Sequence, residues 1–262
     1  MKNKRNIIII VVIIVFYLAL AIIFFGWESF MNKFQGLNIM LSTGEKWQLK
    51  DGKWSDIKDE SKYNWEKFDV YIDNQLLGNY DLLYNDKWYI FDENKKSIKY
   101  DGKILAIRGN KKYEVIEFNE KDLNDDGKNA LREVLSEYDI DYPKELTYAK
   151  RVNLDIDGDS KEETIYTISN AFTYETELNK KFSTVFILDG KKKVLYFDYV
   201  NVGDQYDLCV PKVNSIIDIN KDLKYEIILE CKYFSEMGVC GSLYELKNGA
   251  YKSSKSCQGG NL

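Results

Sequence analysis

Asp155, Asp157, Asp159 and Glu163 stand at positions 1, 3, 5 and 9 of one short stretch, within RVNLDIDGDSKEETIYTI. Sixty-three residues later NSIIDINKDLKYEIILEC places Asp218, Asn220, Asp222 and Glu226 at the same four positions. Oxygen side chains at alternate positions of a tight loop converge on a point. A calcium ion takes six to eight oxygens at about 2.3–2.6 Å, and a loop of this kind supplies several of them together with a backbone carbonyl. Without a counter-charge, carboxylates held so close would repel. Magnesium suits the pattern less, because it keeps its waters in a strict octahedron. A lone D-x-D-x-D reads as solvated turns; two copies with the same ninth-position Glu, each followed by an apolar run, favour an ion. At the sixth position, where a left-handed backbone favours glycine, stand Ser160 and Leu223.

A third acidic stretch, Asp122, Asn124 and Asp126 before Gly127 with Glu133 further on, matches D-x-[DN]-x-[DN]-G-x5-E. The segment after it is helical in pattern, but KKYEVIEF before it reads as a strand, so a helix–loop–helix is incomplete. Asp and Asn also cap helix starts.

The remaining reactive groups are the four cysteines, Cys209, Cys231, Cys240 and Cys257. Four cysteines allow three pairings. If Asn248-Gly249 makes a two-residue hairpin, Leu246 faces Tyr251, Tyr244 faces Ser253 and Cys240 faces Cys257, in the rows where antiparallel side chains come closest. That predicts Cys240–Cys257 with Cys209–Cys231; the alternative is Cys231–Cys240 with Cys209–Cys257. No C-x-x-C spacing supports zinc. The chain has no histidine, which removes His-based triads, His-ligated metals and imidazole bases. No G-x-S-x-G and no phosphate-cradling G-x-x-x-x-G-K-[ST] occurs. With 37 basic and 42 acidic residues in 262, there is no sign of the basic stripe that a duplex-binding domain needs, and no nucleic-acid partner is expected.

The elements that must position these groups are mostly strands. Residues 44–120 alternate short aromatic and β-branched runs with turn pairs such as Asp51-Gly52, Asn85-Asp86 and Asp101-Gly102, as a small antiparallel β domain does. Trp47, Trp54, Trp65 and Trp88 lie in it and are read as packing residues before sugar-stacking ones. Residues 121–149 hold the third acidic loop and a helical connector, with Leu131, Val134, Leu135 and Tyr138 on one stripe. Residues 150–262 form a duplicated β unit, its second hairpin signal recurring as Asp189-Gly190 and Asn248-Gly249. Ahead of the β domain, Ile7 to Trp27 runs without a charge and is long enough to span a bilayer as a helix. Lys2, Lys4 and Arg5 precede it, so residues 1–6 are expected in the cytoplasm, 7–27 as an uncleaved anchor, 28–43 as a stalk, and the rest outside the cell membrane, where disulfides persist.

The two acidic loops, through Asp155, Asp157, Asp159 and Glu163 and through Asp218, Asn220, Asp222 and Glu226, resemble the calcium loops of FG-GAP and VCBS-type repeats. The resemblance covers about residues 150–257. It implies structural calcium tying one strand of a propeller-like blade to the next. The Phe-Gly and Gly-Ala-Pro signature is absent, and two copies cannot close a propeller. The expected fold class is therefore mainly β with one N-terminal transmembrane helix and one internal helix: an antiparallel β domain followed by two propeller-blade-like β repeats with acidic calcium loops. The expected function is a membrane-anchored extracytoplasmic binding or structural protein, with an extracellular protein or glycan as ligand. A carboxylate-dependent hydrolase of glycans, or an accessory sensor subunit of a membrane complex, are the other classes considered.

Overall fold

A computed structural model of the chain describes residues 37–85, 87–109, 113–172, 178–202, 208–219, 223–233 and 239–255. The expected anchor at 7–27 lies outside them. Among the described residues no helix is long and apolar enough to cross a membrane.

The first sheet contains β1 (Leu37–Leu41), β2 (Lys46–Lys50), β3 (Lys53–Asp56), β4 (Glu66–Ile72), β5 (Gln75–Asn85), β6 (Lys87–Phe91), β7 (Ser97–Ile98) and β8 (Ile104–Arg108). They are hydrogen-bonded in the order β3-β2-β1-β8-β4-β5-β6-β7, each neighbouring pair antiparallel. The domain thus begins at Leu37, inside the stretch expected to be stalk. LNIML is short and apolar on both faces, and all five of its residues are buried. The turn at Asp51-Gly52 forms as its residue types require, with both residues at positive φ. A second turn of the same kind, Asp73-Asn74, joins β4 to β5.

Alternate residues divide this sheet into two faces. Met40, Phe68, Val70, Leu82, Trp88, Ile90, Ile104 and Ala106 gather on one of them. The sheet curls around this cluster: Lys46 on β2 lies 4.1 Å from the Tyr84 ring on β5, although four strand steps in a flat sheet would part their backbones by roughly 19 Å. The opposite face, with Leu37, Ile39, Leu41, Trp47, Tyr71, Leu105 and Ile107, packs on the next sheet.

The C-terminal half is two antiparallel meanders. One comprises β11 (Tyr148–Leu154), β12 (Glu163–Ser169), β13 (Lys180–Asp189) and β14 (Lys191–Asn201), with β10 (Lys121–Asp122) beside β11. The other comprises β15 (Val210–Asp218), β16 (Glu226–Lys232), β17 (Val239–Lys247) and β18 (Ala250–Lys255), with β9 (Glu114–Val115) beside β15. Each meander has four strands joined in chain order, and each gains one short strand from the segment ahead of the pair.

The layers follow from what each face buries. The β15–β18 sheet lies in the middle. Ile217, Ile219, Ile228 and Leu243 on one of its faces meet the first sheet, while Val213, Ile216, Ile227, Leu229 and Tyr244 on the other meet Val152, Ile165, Val185 and Ile187 of the β11–β14 sheet. A strand covered on both sides has no polar face, which is why SIIDI and EIILEC read as nearly continuous apolar runs. The helix α1 (Asp125–Ser136) covers the outer face of the β11–β14 sheet through Ala130, Leu131, Val134 and Leu135 against Tyr166, Ile168, Phe182 and Phe186. It starts at an Asn124 cap, which accepts the Gly127 N–H at 3.1 Å.

Cys209 and Cys231 are disulfide-bonded, with α-carbons 5.3 Å apart, closing the end of the β15–β16 hairpin away from its acidic loop. Cys240 is also in a disulfide; Cys257 lies outside the described residues. The alternative Cys231–Cys240 bridge is excluded, although these two residues are cross-strand partners. The β17–β18 register is as expected near the turn, with Leu246 opposite Tyr251 and Tyr244 opposite Ser253. A bulge then shifts it by one residue, placing Leu243 opposite Lys255.

Candidate metal centre

The β11–β12 loop starts where β11 ends. Asp155 accepts the Gly158 N–H on one carboxylate oxygen and the Ser160 N–H on the other, each at 2.8 Å. Asp157 accepts the Asp159 N–H at 3.2 Å, and Asp159 accepts the Lys161 N–H at 2.8 Å. These bonds wind the backbone so that the three Asp side chains point at one focus. One ligand oxygen from each lies within 4.8 Å of the others. Around a single calcium ion at about 2.4 Å, opposed oxygens stand about 4.8 Å apart, so the spacing suits one ion. Lys161 reaches Asp159 with its ammonium at 3.1 Å and, with the backbone N–H, holds that carboxyl below its usual range. An ion at the focus would compete with this lysine.

Glu163 takes a different place from the one expected of a ligand. It is buried and accepts the Ile156 N–H at 2.8 Å, locking the loop's second residue to its ninth. Burial pushes its carboxyl up, opposed by that N–H and reinforced by Asp157, Asp189 and Asp155.

The β15–β16 loop repeats the frame. Asp218 accepts the Leu223 N–H at 3.1 Å, as Asp155 does that of Ser160. Glu226 accepts the Ile219 N–H at 3.0 Å, as Glu163 does that of Ile156. Ser160 and Leu223, the sixth residues, have φ of 70° and 62°, so the left-handed turn forms without glycine in both copies. Asp218 and Glu226 are both buried, and burial drives the Glu226 carboxyl up to about 7, with Glu245 and Asp218 adding to the shift. Asn220 and Asp222 lie outside the described residues, so only half of this set is placed.

The two loops touch, which their separation in sequence gave no sign of. The Tyr225 N–H donates to the Ile156 carbonyl at 2.9 Å. The Tyr251 hydroxyl on β18 lies 3.1 Å from both the Ile156 and the Tyr225 carbonyls. Gly158, at φ 78°, packs so closely that a β-carbon on it would stand 2.8 Å from the Leu223 carbonyl oxygen. Gly158 at the fourth loop position was the one visible signal of this seam. Lys161, Tyr225 and Tyr251 carry none that can be read from spacing.

The third acidic set does not assemble. Asp122 lies on β10 and pairs with Lys150. Asn124 is the helix cap and also accepts from the Tyr166 hydroxyl. Asp126 is in the first helical turn, where a negative charge suits the helix dipole, and Glu133 approaches Lys192 at 3.8 Å. Among the described residues the Asp155, Asp157 and Asp159 group is the one acidic cluster with metal-holding spacing. Of Trp47, Trp54, Trp65 and Trp88, Trp47 and Trp88 are buried in core, Trp54 packs against it, and Trp65 alone is exposed. No protein-family model matches the chain, and no curated protein or solved structure matches it at a significant level.

Proposed function

We propose that this chain is a membrane-anchored extracytoplasmic binding or structural protein whose two C-terminal β units are stabilised by calcium, in the manner of FG-GAP and VCBS-type repeats. The observation that carries this reading is the convergence of Asp155, Asp157 and Asp159 on one focus, in a loop whose hydrogen-bonded frame recurs around Asp218 and Glu226. Three hard carboxylate oxygens fit a calcium ion, and water and backbone carbonyls would complete its shell. The residues that would hold it are Asp155, Asp157 and Asp159, with Glu163 bracing the loop behind them. The disulfides support an oxidising compartment, and with it the outward placement of the β units. The Ile7–Trp27 run supports attachment to the membrane.

The role assigned to the ion is architectural. External calcium modules bind at about 10⁻⁴–10⁻³ M, so calcium at about ten millimolar would saturate such a loop. The test is thermal unfolding of the full chain in mild detergent, with EDTA and with calcium. Calcium at about ten times Kd should contribute roughly 1.4 kcal/mol and raise the melting temperature by several degrees. Asp155→Ala should remove most of that increment. Identical melting in both solutions would refute the calcium reading.

A further inference from the structure

Large apolar side chains left in water are not spread evenly over this molecule. Among the described residues eight stand exposed, and four of them, Tyr138, Val194, Tyr199 and Val202, gather on or beside β14, each between 39 and 44 % exposed. The register explains how they come to face outward. Lys192, Val194, Phe197 and Tyr199 lie opposite Leu188, Phe186, Thr184 and Phe182 of β13, in one row on the outer face of the sheet. That row is not evenly spaced in sequence, because the ladder shifts between Val185 and Phe186 and leaves Leu195 as an extra residue. Unbroken alternation after Val194 would turn Tyr196 and Asp198 outward and hide Phe197 and Tyr199. The bulge does the reverse, sending Leu195 and Tyr196 into the core between the sheets and the other two rings out.

The end of α1 lays a third ring on this row. The Tyr138 N–H donates to the Leu135 carbonyl at 3.1 Å. Asp139, at a φ of 55°, then turns the chain so that the Ile140 N–H returns to the same carbonyl at 3.1 Å. The Lys180 ammonium donates to the carbonyls of Tyr138 and Asp139 at 3.0 and 3.5 Å, the Asn179 amide donates to that of Asp139 at 3.3 Å, and Lys192 holds Glu137 at 2.7 Å. Pinned in this way, the Tyr138 ring stacks on Phe197 at 4.0 Å and 17°, which leaves its other face to solvent. Tyr199 stands 6.1 Å from both rings, tilted by 52° and 47°, with the Lys180 ammonium 4.9 Å from its centre. The three rings thus form a preformed platform, with little left to order on binding.

Size and charge decide what fits it. The four exposed side chains offer roughly 300 Å², well short of the roughly 800 Å² that each partner gives to a stable protein interface. The exposed charged groups of the adjoining helix end, Glu133, Glu137 and Asp139, are acidic, while Lys180 and Lys192 are turned onto carbonyls and carboxylates. Anionic lipids and anionic polymers are therefore repelled. A sugar ring has the complementary chemistry. Its C–H face packs on the negative face of an aromatic ring, and its hydroxyls donate to carboxylates at the edge.

We propose that Tyr138, Phe197 and Tyr199 form a binding platform for an uncharged, extended polysaccharide of the cellulose or chitin type, with sugar faces on Tyr138 and Tyr199 and hydroxyls donating to Glu133 and Glu137. The platform lies on the outer face of the β11–β14 sheet and requires neither the ion nor the anchor.

The test uses the full chain in mild detergent, sedimented with insoluble cellulose and with chitin. The wild type should be retained on at least one of them. Tyr199→Ala should weaken retention at least tenfold, Tyr199→Phe should stay within threefold because the ring rather than the hydroxyl makes the contact, and Trp65→Ala, at the exposed indole of the first sheet, should change nothing. A measurement on the wild type needs no variant to fold: the soluble hexamer of the retained polymer should slow hydroxyl-radical oxidation of Tyr138 and Tyr199 at least threefold and leave that of Trp65 unchanged, read by mass spectrometry. No retention on either polymer overturns the proposal, as does retention with both tyrosines unprotected. A dimer in solution that Tyr199→Ala dissociates, with no sugar bound, would give this face to a second copy of the chain and overturn it equally.

Discussion

At the scale of residues, the burial of the two ninth-position glutamates makes the stability of the fold depend on pH. Glu226 has its folded value raised to about 7 from an ordinary 4.5 by burial. The folded state therefore holds its proton more tightly than the unfolded state. Its stabilising contribution is complete below about pH 4.5 and is lost as pH rises through about 7. The loss is on the order of 3 kcal/mol. In EDTA, the chain should melt higher at pH 5.5 than at pH 8, and Glu226→Gln should reduce that difference, measured by thermal unfolding at the two pH values. Glu163 shifts in the same direction.

At the scale of elements, the seam between the two loops depends on one missing side chain. Gly158 combines positive φ with a close approach to the Leu223 carbonyl, so Gly158→Ala brings both backbone strain and a clash. The expected cost is about 1–3 kcal/mol, measured by denaturant unfolding. Backbone hydrogen exchange should quicken at Tyr225, whose N–H crosses the seam, more than at Thr167 inside β12. The Cys209–Cys231 bridge acts at the other end of the β15–β16 hairpin. It closes a loop of sequence separation 22, for which the chain-entropy model gives about 3 kcal/mol. Replacing both cysteines by serine should lower stability by about that amount, with strand pairing near Leu229 loosened first.

At the scale of the whole molecule, the first sheet and the β15–β18 sheet bury one continuous cluster, from Leu37 and Trp47 to Ile217, Ile228 and Leu243. Polar ties cross the same junction: Glu45 accepts the Gly241 N–H at 2.7 Å, and Lys255 pairs with Asp56 at 2.6 Å. The two halves are thus expected to melt together. Tryptophan emission, which reports on Trp47 and Trp88 in the first sheet, and far-ultraviolet dichroism, which reports on all three sheets, should give coincident transitions. Two separated transitions would show that the shared cluster does not couple the halves.

Features set by local chemistry could be read directly from the chain. Turn residues placed the hairpins at Asp51-Gly52, Asp189-Gly190 and Asn248-Gly249, helical periodicity placed Leu131, Val134 and Leu135 on the buried stripe, and the repeated Asp and Glu spacing located both acidic loops. Each depends on residues a few positions apart, whose φ preferences and side-chain reach act before any tertiary packing. The fates of Trp47 and Trp65, the dispersal of Asp122, Asn124 and Glu133 to other partners, and the meeting of Ile156 with Tyr225 were decided by which sheet lies against which. That choice rests on burying large apolar faces contributed by residues far apart in the chain. No local spacing encodes it, because any strand with the right alternation of faces could have taken the same place.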